Sequence, residues 1–344
     1  MKGKKLLTAM GVYMALLTVA SLVVSIVIFP KIWLFEKDAT DPNGKPSQAL
    51  LPTDIAGTDA DKLNGFANVT LYGAVPDDGK DDTAAFQKAI GSNASLYIPK
   101  GVYEISDTLV LTGQNIKGSG PTLTVIKGTA SKSLFKLSGR VLVEGVGLCY
   151  DDKALTQKET AGQATAFHLE ALLSSSVIKN VHISNVGTGF YSPADKEGAA
   201  FTTIEGVKIS DFTYSAVDFA KTTGTYFRAV EVENKAYKPE SALRLGGSFT
   251  IESITVNDME CAYPITLTNA YSAVAKAITF LNVTATQKAF IQSANSTLVC
   301  QSLSAVSSPA DYWVSGTGSK GRIVSAFSDS GVIKGDSEGK ITVS

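Results

Sequence analysis

The chain has 344 residues, a net charge of −1, 44% hydrophobic residues, 18% charged residues and 30 glycines. This balance of charge excludes a typical nucleic-acid-binding protein, because phosphate binding requires a concentrated positive charge. Only two histidines are present and the three cysteines lack the spacing of a metal site, so we expect no metal and no cofactor. The many glycines and the high hydrophobic content favour a β-rich chain with tight turns.

The N-terminal segment predicts a transmembrane helix. Residues 6–29 carry no charge, and as a helix they are long enough to cross a bilayer. Lys2, Lys4 and Lys5 precede this run, which predicts a cytoplasmic N-terminus and an extracytoplasmic remainder. We therefore expect a single-pass membrane protein with a signal-anchor over 1–30 and a polar linker over 31–68. The alternative is a cleaved signal peptide, which would make the protein secreted.

A folded domain is predicted over 69–344. Residues 69–74 predict a strand that runs into a turn, and residues 83–90 predict a short helix with Phe86, Ala89 and Ile90 on its apolar side. Short strands are expected within 96–105 and 115–120 and at 109–111 and 124–126. The acidic residues before the helix suit either a helix-capping turn or a cation site, and the capping turn is favoured; they are Asp77, Asp78, Asp81 and Asp82.

This first part of the domain resembles a known family. The resemblance rests on Tyr72-Gly73-Ala74, Asp78-Gly79, the run 81–90, the run 98–103 and Ile116-Lys117-Gly118-Ser119-Gly120. They look like the N-terminal capping module of pectate-lyase-superfamily proteins, which include rhamnogalacturonase- and epimerase-like pectate lyase domains and many phage tailspikes. The resemblance covers about residues 69–128 and implies a right-handed parallel β-helix with a short N-terminal capping helix. It says little about activity, because lyases, hydrolases, epimerases and non-catalytic fibres share this module.

A repeat follows in the middle of the chain. Five similar segments occur at 177–185, 203–211, 226–234, 250–258 and 274–282. The copies follow one another at steps of 26, 23, 24 and 24 residues, and a step of this size indicates a solenoid. The resemblance implies that this solenoid is an all-β, single-stranded right-handed parallel β-helix. Each copy predicts three inward apolar residues and an Asn or Asp two places after the last of them. The outward residues Lys179, Glu205, Arg228, Glu252 and Lys276 alternate in sign, which we interpret as a structural charge ladder.

A second strand in each coil carries the candidate chemistry. Its triplets are 167–169, 190–192, 217–219, 243–245, 265–267 and 290–292, and the middle residue of each is predicted to point outward. The resulting candidate catalytic residues are His168, Tyr191, Asp218 and Arg244. The structural alternative to a catalytic role is that these are exposed residues of mixed type, in which Asp218 and Arg244 only form an ion pair. Candidate substrate-binding residues on nearby loops are Tyr214, Glu240, Glu260 and Tyr263.

The column favours an enzyme that acts on an acidic polysaccharide, since Arg244 is able to hold a sugar carboxylate and its neighbours are able to move a proton. The Asn-Thr-Asp, Gly-His-Gly and Arg-x-Lys pattern of polygalacturonases is missing, as is the Asp-Pro-His-Glu of alginate epimerases. A lyase or another hydrolase therefore remains, and the alternative is a non-catalytic glycan-binding, adhesin or structural surface module. An insertion at 151–162 suits either a cleft wall or a surface loop. The polar tail from residue 334 is expected to cover or fray the end of the solenoid.

Overall fold

A computed structural model describes residues 65–156, 159–196, 198–331 and 333–343. The predicted transmembrane helix and all but the last four residues of the predicted linker lie outside these ranges. Among the described residues, no helix has the length and hydropathy needed to cross a membrane.

The described chain is a right-handed parallel β-solenoid of about ten coils. Strands of one coil pair in parallel with those of the next, so each coil adds one rung to a continuous stack. The strands of the first coils are β1 (Ala67–Asn68), β2 (Ser95–Ile98), β3 (Gly101–Ile105), β4 (Leu109–Leu111), β5 (Asn115–Gly118), β6 (Thr124–Gly128), β7 (Phe135–Gly139), β8 (Leu142–Glu144) and β9 (Gly147–Tyr150).

The central coils contain longer strands. Two of them run through a bend and join a repeat segment to the strand that follows it, namely β11 (Val177–Ser192) and β13 (Thr203–Phe219). The others are β10 (Thr165–Ser174), β12 (Ala199–Ala200), β14 (Thr222–Thr223), β15 (Thr225–Arg228), β16 (Val230–Asn234), β17 (Ser241–Leu245), β18 (Ser248–Cys261), β19 (Tyr263–Thr268), β20 (Ser272–Ala285), β21 (Ala289–Ala294), β22 (Thr297–Val306), β23 (Tyr312–Thr317), β24 (Lys320–Ser328), β25 (Lys334–Asp336) and β26 (Ile341–Val343).

The N-terminal end is covered by a helix, as predicted. Helix α1 spans Thr83–Ser92 and buries Phe86, Ala89 and Ile90. The strand predicted at 69–74 is wrong: Val69–Tyr72 forms a 3₁₀ turn, because Asn68 accepts a hydrogen bond from the Thr70 amide and Gly73 closes the turn at a φ of 102°.

The acidic cluster before α1 holds the turn in place. Asp77 accepts from the Val102 amide, Asp78 from the Lys80 amide, Asp81 from the Thr83 amide and Asp82 from the Val75 amide. Only the Asp81 bond caps an amide of the helix, and the N-cap residue Asp82 makes no side-chain capping bond; the other carboxylates fix the turn and its contact with β3.

The register of the repeat is confirmed. Val181 pairs with Val207, Val230 with Ile254, and Ile254 with Ile278. The predicted inward residues of all five copies are buried. Inward and outward residues alternate along each strand. Because equivalent residues of successive coils pair in register, the apolar residues of every copy face the interior of the solenoid and form the core.

The Asx ladder is only partly as predicted. Asn185, Asp211, Asp258 and Asn282 have φ values of 51°, 50°, 47° and 53°, the left-handed conformation that Asn and Asp tolerate. Asn234 departs from the pattern: the register shifts after Glu233, and the Asn234 side chain is buried and donates to the Phe212 carbonyl at 2.6 Å. The Asn234 side-chain amide therefore supplies a hydrogen bond to a buried backbone carbonyl of the preceding coil and does not face solvent.

The charge ladder is present on the outer surface of the repeat. Arg228 contacts Glu252 at 2.8 Å and Glu205 at 3.3 Å, and Lys276 lies 4.0 Å from Glu252. Glu144 extends the ladder one coil towards the N-terminus by pairing with Lys179 at 3.3 Å. Exposed pairs of this kind stabilise by about 0–1 kcal/mol each, so the ladder contributes mainly to the choice of register.

The last of the six triplets is displaced by one residue. Thr266 pairs with Gln292, so the final triplet is 291–293 with Gln292 outward, not 290–292. Phe290 instead stacks on Phe280 with ring centroids 4.4 Å apart, and burial of this ring fixes the shift. The sequence also predicts short strands at 312–314 and 331–333. The first is present in β23, whereas β25 begins only at Lys334; Val332 lies outside the described residues.

The tail continues the solenoid. Strand β25 pairs with β23, and β26 pairs with β24 and buries Ile341. The expectation that the polar tail covers or frays the end is therefore wrong for 334–343, because backbone pairing and one buried side chain are enough to add further rungs.

Candidate functional site

The predicted outward column forms in register. His168 pairs with Tyr191, Tyr191 with Asp218, Asp218 with Arg244, and Arg244 with Thr266. Both flanking residues of each of these triplets are buried, and the middle residue is only partly exposed. Consecutive residues of the column are therefore one rung apart, about 4.8 Å.

Three of the four candidate catalytic residues line a concave cleft of about 420 Å³, namely Tyr191, Asp218 and Arg244. The cleft also takes in the corner that follows the strand in each coil. Its other main contributors are Ala161, Ser192, Ala194, Lys221, Thr266, Thr268 and Asn269. The concave shape distinguishes this part of the column from a flat structural ladder.

Arg244 lies at the centre of the charged groups. Its Nε is 3.5 Å from Oδ2 of Asp218, its Nη1 is 3.4 Å from Oε2 of Glu240, and its guanidinium carbon lies 5.6 Å from the ring centre of Tyr214. The Asp218 side chain is only 15% exposed and that of Glu240 is 72% exposed. Asp218 and Arg244 thus form the ion pair that the structural alternative predicted, but this pair lies within a cleft.

Burial raises the pKa of Asp218, and the charge of Arg244 and a hydrogen bond from Tyr214 offset only part of that rise. Burial likewise raises the pKa of Tyr191, and the negative charge of Asp218 adds to the rise. The cleft therefore holds a carboxylate that binds protons more tightly than usual beside a phenol that releases its proton less readily.

His168 does not line the cleft. Its Nδ1 lies 3.1 Å from the Ser133 hydroxyl, its Nε2 is 3.8 Å from Glu170, and its ring packs edge-on against Tyr191 with centroids 5.1 Å apart. Burial lowers its pKa, against the opposing charge of Glu170. These contacts suit a neutral histidine that supports the position of Tyr191.

The four candidate substrate-binding residues are not among the residues that line the cleft. Tyr214 and Glu240 contact Arg244, as described above. Glu260 is engaged with Lys238 at 2.6 Å. Tyr263 pairs with Ser241 at the start of β19, and its amide donates to the Glu240 carbonyl. The cleft opens towards the corner after the strand, whereas these four residues precede it in each coil.

The insertion forms one wall of the cleft. Ala161 lines it, and Gly162 lies so close to Tyr191 that a Cβ atom there would come within 2.7 Å of the ring. Glu159 fastens the insertion: it is buried and accepts hydrogen bonds from the Thr213 hydroxyl at 2.7 Å and from Thr156. Of the two interpretations of this segment, the contacts support the cleft wall.

Lys221, Ser192 and Asn269 are cleft residues that the sequence reasoning missed. Lys221 and Asn269 each follow a column residue by three positions, at the same corner of different coils. Aligning the corners as well as the strands would have revealed them. The buried hydroxyl of Ser192 has no hydrogen-bond partner among the residues that the structure describes, and it lines the cleft.

The charged residues that line the cleft are Asp218, Lys221 and Arg244, so its charge is net positive. Such a set suits an anionic ligand and offers one group that is able to take up a proton. In the described ranges, no three His, Cys, Asp or Glu side chains are grouped so as to hold a metal ion.

Comparisons with known proteins agree with this fold. The pre-neck appendage protein of Bacillus phage B103 is 29% identical over 144 residues, 37% of this chain and 16% of that protein. The enzymatically active domain of tailspike protein 2 from bacteriophage CBA120 superposes with a TM-score of 0.54 at 12% identity, covering 81% of this chain and 47% of that one. The catalytic unit of the GH87 α-1,3-glucanase from Streptomyces thermodiastaticus strain HF3-3 gives a TM-score of 0.50 at 12% identity, covering 82% and 68%.

Sequence identity and coverage determine what each of these similarities shows. The two structural matches are so distant in sequence that they show the fold alone. The chain spans only 8% and 16% of the length of two curated relatives that it matches. A family model described as "Rhamnogalacturonase A/epimerase, pectate lyase-like" matches residues 66–313, most of the domain. The resemblance drawn from the N-terminal module is therefore confirmed, and this chain belongs to the rhamnogalacturonase A/epimerase, pectate lyase-like family.

Proposed function

We propose that this protein binds an acidic polysaccharide in the cleft and cleaves it by β-elimination. The observation that carries the proposal is the composition of the cleft: a largely buried carboxylate with a raised pKa, Asp218, shares the cleft with two cations, Arg244 and Lys221, and with the phenol of Tyr191. The fold shared with a tailspike domain and a glucanase is consistent with a carbohydrate substrate.

The reaction would begin with a uronate residue held by its carboxylate. Arg244 and Lys221 neutralise that carboxylate, which makes the neighbouring C–H group more acidic. Asp218 accepts the proton from this carbon, a double bond forms in the sugar ring, and the bond to the leaving glycosidic oxygen breaks. Tyr191, one rung away and protonated at neutral pH, donates a proton to that oxygen.

Elimination fits the cleft better than hydrolysis does. Hydrolysis of a glycosidic bond generally uses two carboxylates on opposite sides of the bond. Among the described cleft-lining residues Asp218 is the carboxylate, while Glu240 does not line the cleft and is mostly exposed. Elimination uses one base and cations near the substrate carboxylate, and the cleft supplies both.

The test is incubation of the whole chain, purified in detergent, with polygalacturonate, alginate and hyaluronate. Elimination produces both ultraviolet-absorbing unsaturated uronates and new reducing ends, whereas hydrolysis produces reducing ends alone. We expect both signals with at least one polymer, and we expect Asp218→Asn to abolish them. The matched control is Lys276→Gln on the repeat face, which should remain active. If the wild-type protein gave neither an ultraviolet signal nor new reducing ends, the proposal that it is an enzyme would be rejected.

A second candidate function is a non-catalytic glycan-binding module. It is favoured by the ion pairs of Arg244 with Asp218 and Glu240, which leave the guanidinium already neutralised before a substrate arrives. Binding of a polymer without either product would support this candidate over the lyase.

We also propose that the domain acts outside the cytoplasm, tethered by a transmembrane helix at 6–29. The support is the uncharged run itself and the three lysines that precede it. Extraction of membranes at alkaline pH and protease treatment of intact cells test this. Release of the protein by alkali, or protection of the domain from external protease, would refute the tether or the orientation.

A further inference from the structure

The two cations of the cleft differ in what they contact. Arg244 has its Nε 3.5 Å from Asp218 and its Nη1 3.4 Å from Glu240, so two carboxylates already engage its guanidinium. Lys221 is exposed and forms no ion pair with any residue that the structure describes. Because the charges of Asp218 and Arg244 cancel, the net positive charge of the cleft resides on Lys221.

An anion that enters the cleft therefore meets two different environments. Beside Arg244 it approaches one positive and two negative charges when Asp218 and Glu240 are both ionised, so it is repelled unless it displaces one of them. At Lys221 no carboxylate of the described chain has to be displaced, and the ammonium group has three donors to offer. Lys221 is thus the more favourable contact for the carboxylate of a ligand.

The floor of the cleft beside Lys221 consists of Ala220 and Gly246. They occupy equivalent positions in consecutive coils, one residue after the paired residues Phe219 and Leu245, and both line the cleft. A Cβ atom at Gly246 would come 2.3 Å from the carbonyl oxygen of Ala220 and 2.7 Å from that of Thr268, so glycine is needed where these coils pack. The close packing leaves a floor with almost no side chains.

Asn269 borders this floor on the opposite side from Lys221. The two residues lie at the same corner two coils apart, about 10 Å along the axis, and Gly247 stands between them. The φ of 51° explains why an asparagine suits position 269, and its backbone amide donates to the Ala294 carbonyl at 3.0 Å. Its exposed side-chain amide forms no hydrogen bond with the described residues, so it is available to a ligand.

We propose that Lys221 is the cation that selects the substrate: it binds the carboxylate of a uronate whose ring lies on the floor, while Asn269 hydrogen-bonds a hydroxyl of the same polymer. Arg244 acts as a positioning residue, because its donors hold Asp218 and its charge lowers the pKa of that carboxyl. The inference rests on the proposed function for the nature of the polymer, but it does not require that the polymer be cleaved.

The test is isothermal titration calorimetry of the whole chain in detergent. The ligands are oligosaccharides of polygalacturonate, alginate and hyaluronate, and the same oligosaccharides after reduction of their carboxylates to alcohols. The wild type should bind the acidic form of its preferred ligand about tenfold more tightly than the reduced form. Lys221→Gln should abolish this preference by weakening the acidic form alone, whereas Lys221→Arg and Arg244→Gln should keep it.

Two further variants complete the set. Asn269→Ala should weaken the acidic and reduced forms by the same factor, because the hydroxyl that it contacts is present in both. Lys88→Gln is the matched control: Lys88 is an exposed lysine on α1 without an ion pair among the described residues, and its removal should leave binding unchanged. In Arg244→Gln the acid limb of the pH–rate profile should move to higher pH, since Asp218 loses the charge that lowers its pKa.

The outcomes separate this inference from the proposed function. A preference that survives in Lys221→Gln, or is lost in Lys221→Arg or Arg244→Gln, overturns the role of Lys221. An equal loss in Lys88→Gln would indicate a general effect of charge and would overturn it too. Unchanged binding in Asn269→Ala overturns the placement of the ring, and an unmoved acid limb overturns the positioning role of Arg244. A wild type that binds without cleaving rejects the lyase and leaves the inference intact, whereas a wild type that binds none of the ligands overturns both.

Discussion

At the scale of the residue, the environment of Asp218 decides what the cleft is able to do. The same carboxylate on a flat surface would be solvated and would form an ordinary ladder pair with Arg244. Here buried triplet residues flank it and its side chain is 15% exposed, so burial outweighs the attraction of the nearby guanidinium. A carboxylate in this state is a stronger base than a free aspartate once it is ionised.

The first prediction concerns pH. Because the pKa of Asp218 is raised above its ordinary value of 3.8, cleavage should be lost as the pH falls through that higher value. Asp218→Asn should lower kcat/KM by roughly 10²–10⁴. The pH–rate profile of the wild type measures the acid limb. A profile that stays flat down to pH 3.8 would contradict the role of Asp218 as base.

Glu240 provides the matched variant for this prediction. It contacts the same guanidinium but is mostly exposed, so Glu240→Gln should leave most of the activity. An equal loss in Glu240→Gln and Asp218→Asn would indicate that two carboxylates act together, as in hydrolysis.

The raised pKa of Asp218 also affects stability. Between pH 3.8 and the folded-state pKa the native protein binds this proton more tightly than the unfolded chain does. The contribution of Asp218 to the free energy of unfolding is therefore greatest below pH 3.8 and falls as the pH rises through the folded-state value.

At the scale of the element, the insertion depends on one buried side chain. Burial by itself raises the pKa of Glu159, but hydrogen bonds from Thr213 and Thr156 more than offset it and leave the pKa below its ordinary value of 4.5. The stabilisation from Glu159 is accordingly present above pH 4.5 and is lost as the pH falls through the lowered folded-state value.

The second prediction follows from this contact. Glu159→Ala should free the insertion from Thr213 and destabilise it by about 1–3 kcal/mol, because it removes hydrogen bonds to a charged, buried acceptor. Hydrogen exchange at 151–156 and 159–164 should quicken, and KM should rise more than kcat falls, since the wall beside Tyr191 is displaced. Glu170→Ala, half exposed and paired with Lys136, serves as the control and should cost less than about 1 kcal/mol. Equal exchange rates in the wild type and Glu159→Ala would show that the insertion is held by other contacts.

At the scale of the whole molecule, a stack of phenylalanines runs through the core. Phe135, Phe167 and Phe190 stack with centroids 5.7 and 5.0 Å apart. The series continues edge-on or tilted through Phe219, Phe227 and Phe249 at 6.2–6.4 Å. Phe167 and Phe190 each contact a ring of the preceding coil and a ring of the following coil, so the stack couples neighbouring coils of the solenoid.

The third prediction tests this coupling. Phe190→Ala should lower the free energy of unfolding by about 3–5 kcal/mol, because it removes a fully buried ring and leaves a cavity between two others. Denaturant titration followed by circular dichroism measures the change. Phe327→Ala, at a 59% exposed ring, should change stability by less than about 1 kcal/mol. A loss below 1 kcal/mol in Phe190→Ala would mean that the neighbouring coils repack over the gap.

The sequence by itself determined the solenoid, its register and the face on which each repeat residue lies. Alternation along a strand and a repeat near 24 residues leave one parallel arrangement that buries Ile178, Val181 and Ile183 together with their counterparts. For the same reason the order of Tyr191, Asp218 and Arg244 was predicted correctly. The same pattern could not detect a one-residue slip, so the inward turn of Asn234 and the shift at Gln292 were missed.

Only the tertiary structure decided which outward residues surround a cleft. Concavity depends on corners, and corners vary in length and conformation from coil to coil without a periodic signal. Lys221 and Asn269 come from the corners of two coils and Ala161 from the insertion, and the three line one cleft, while His168 and Glu260 remain outside.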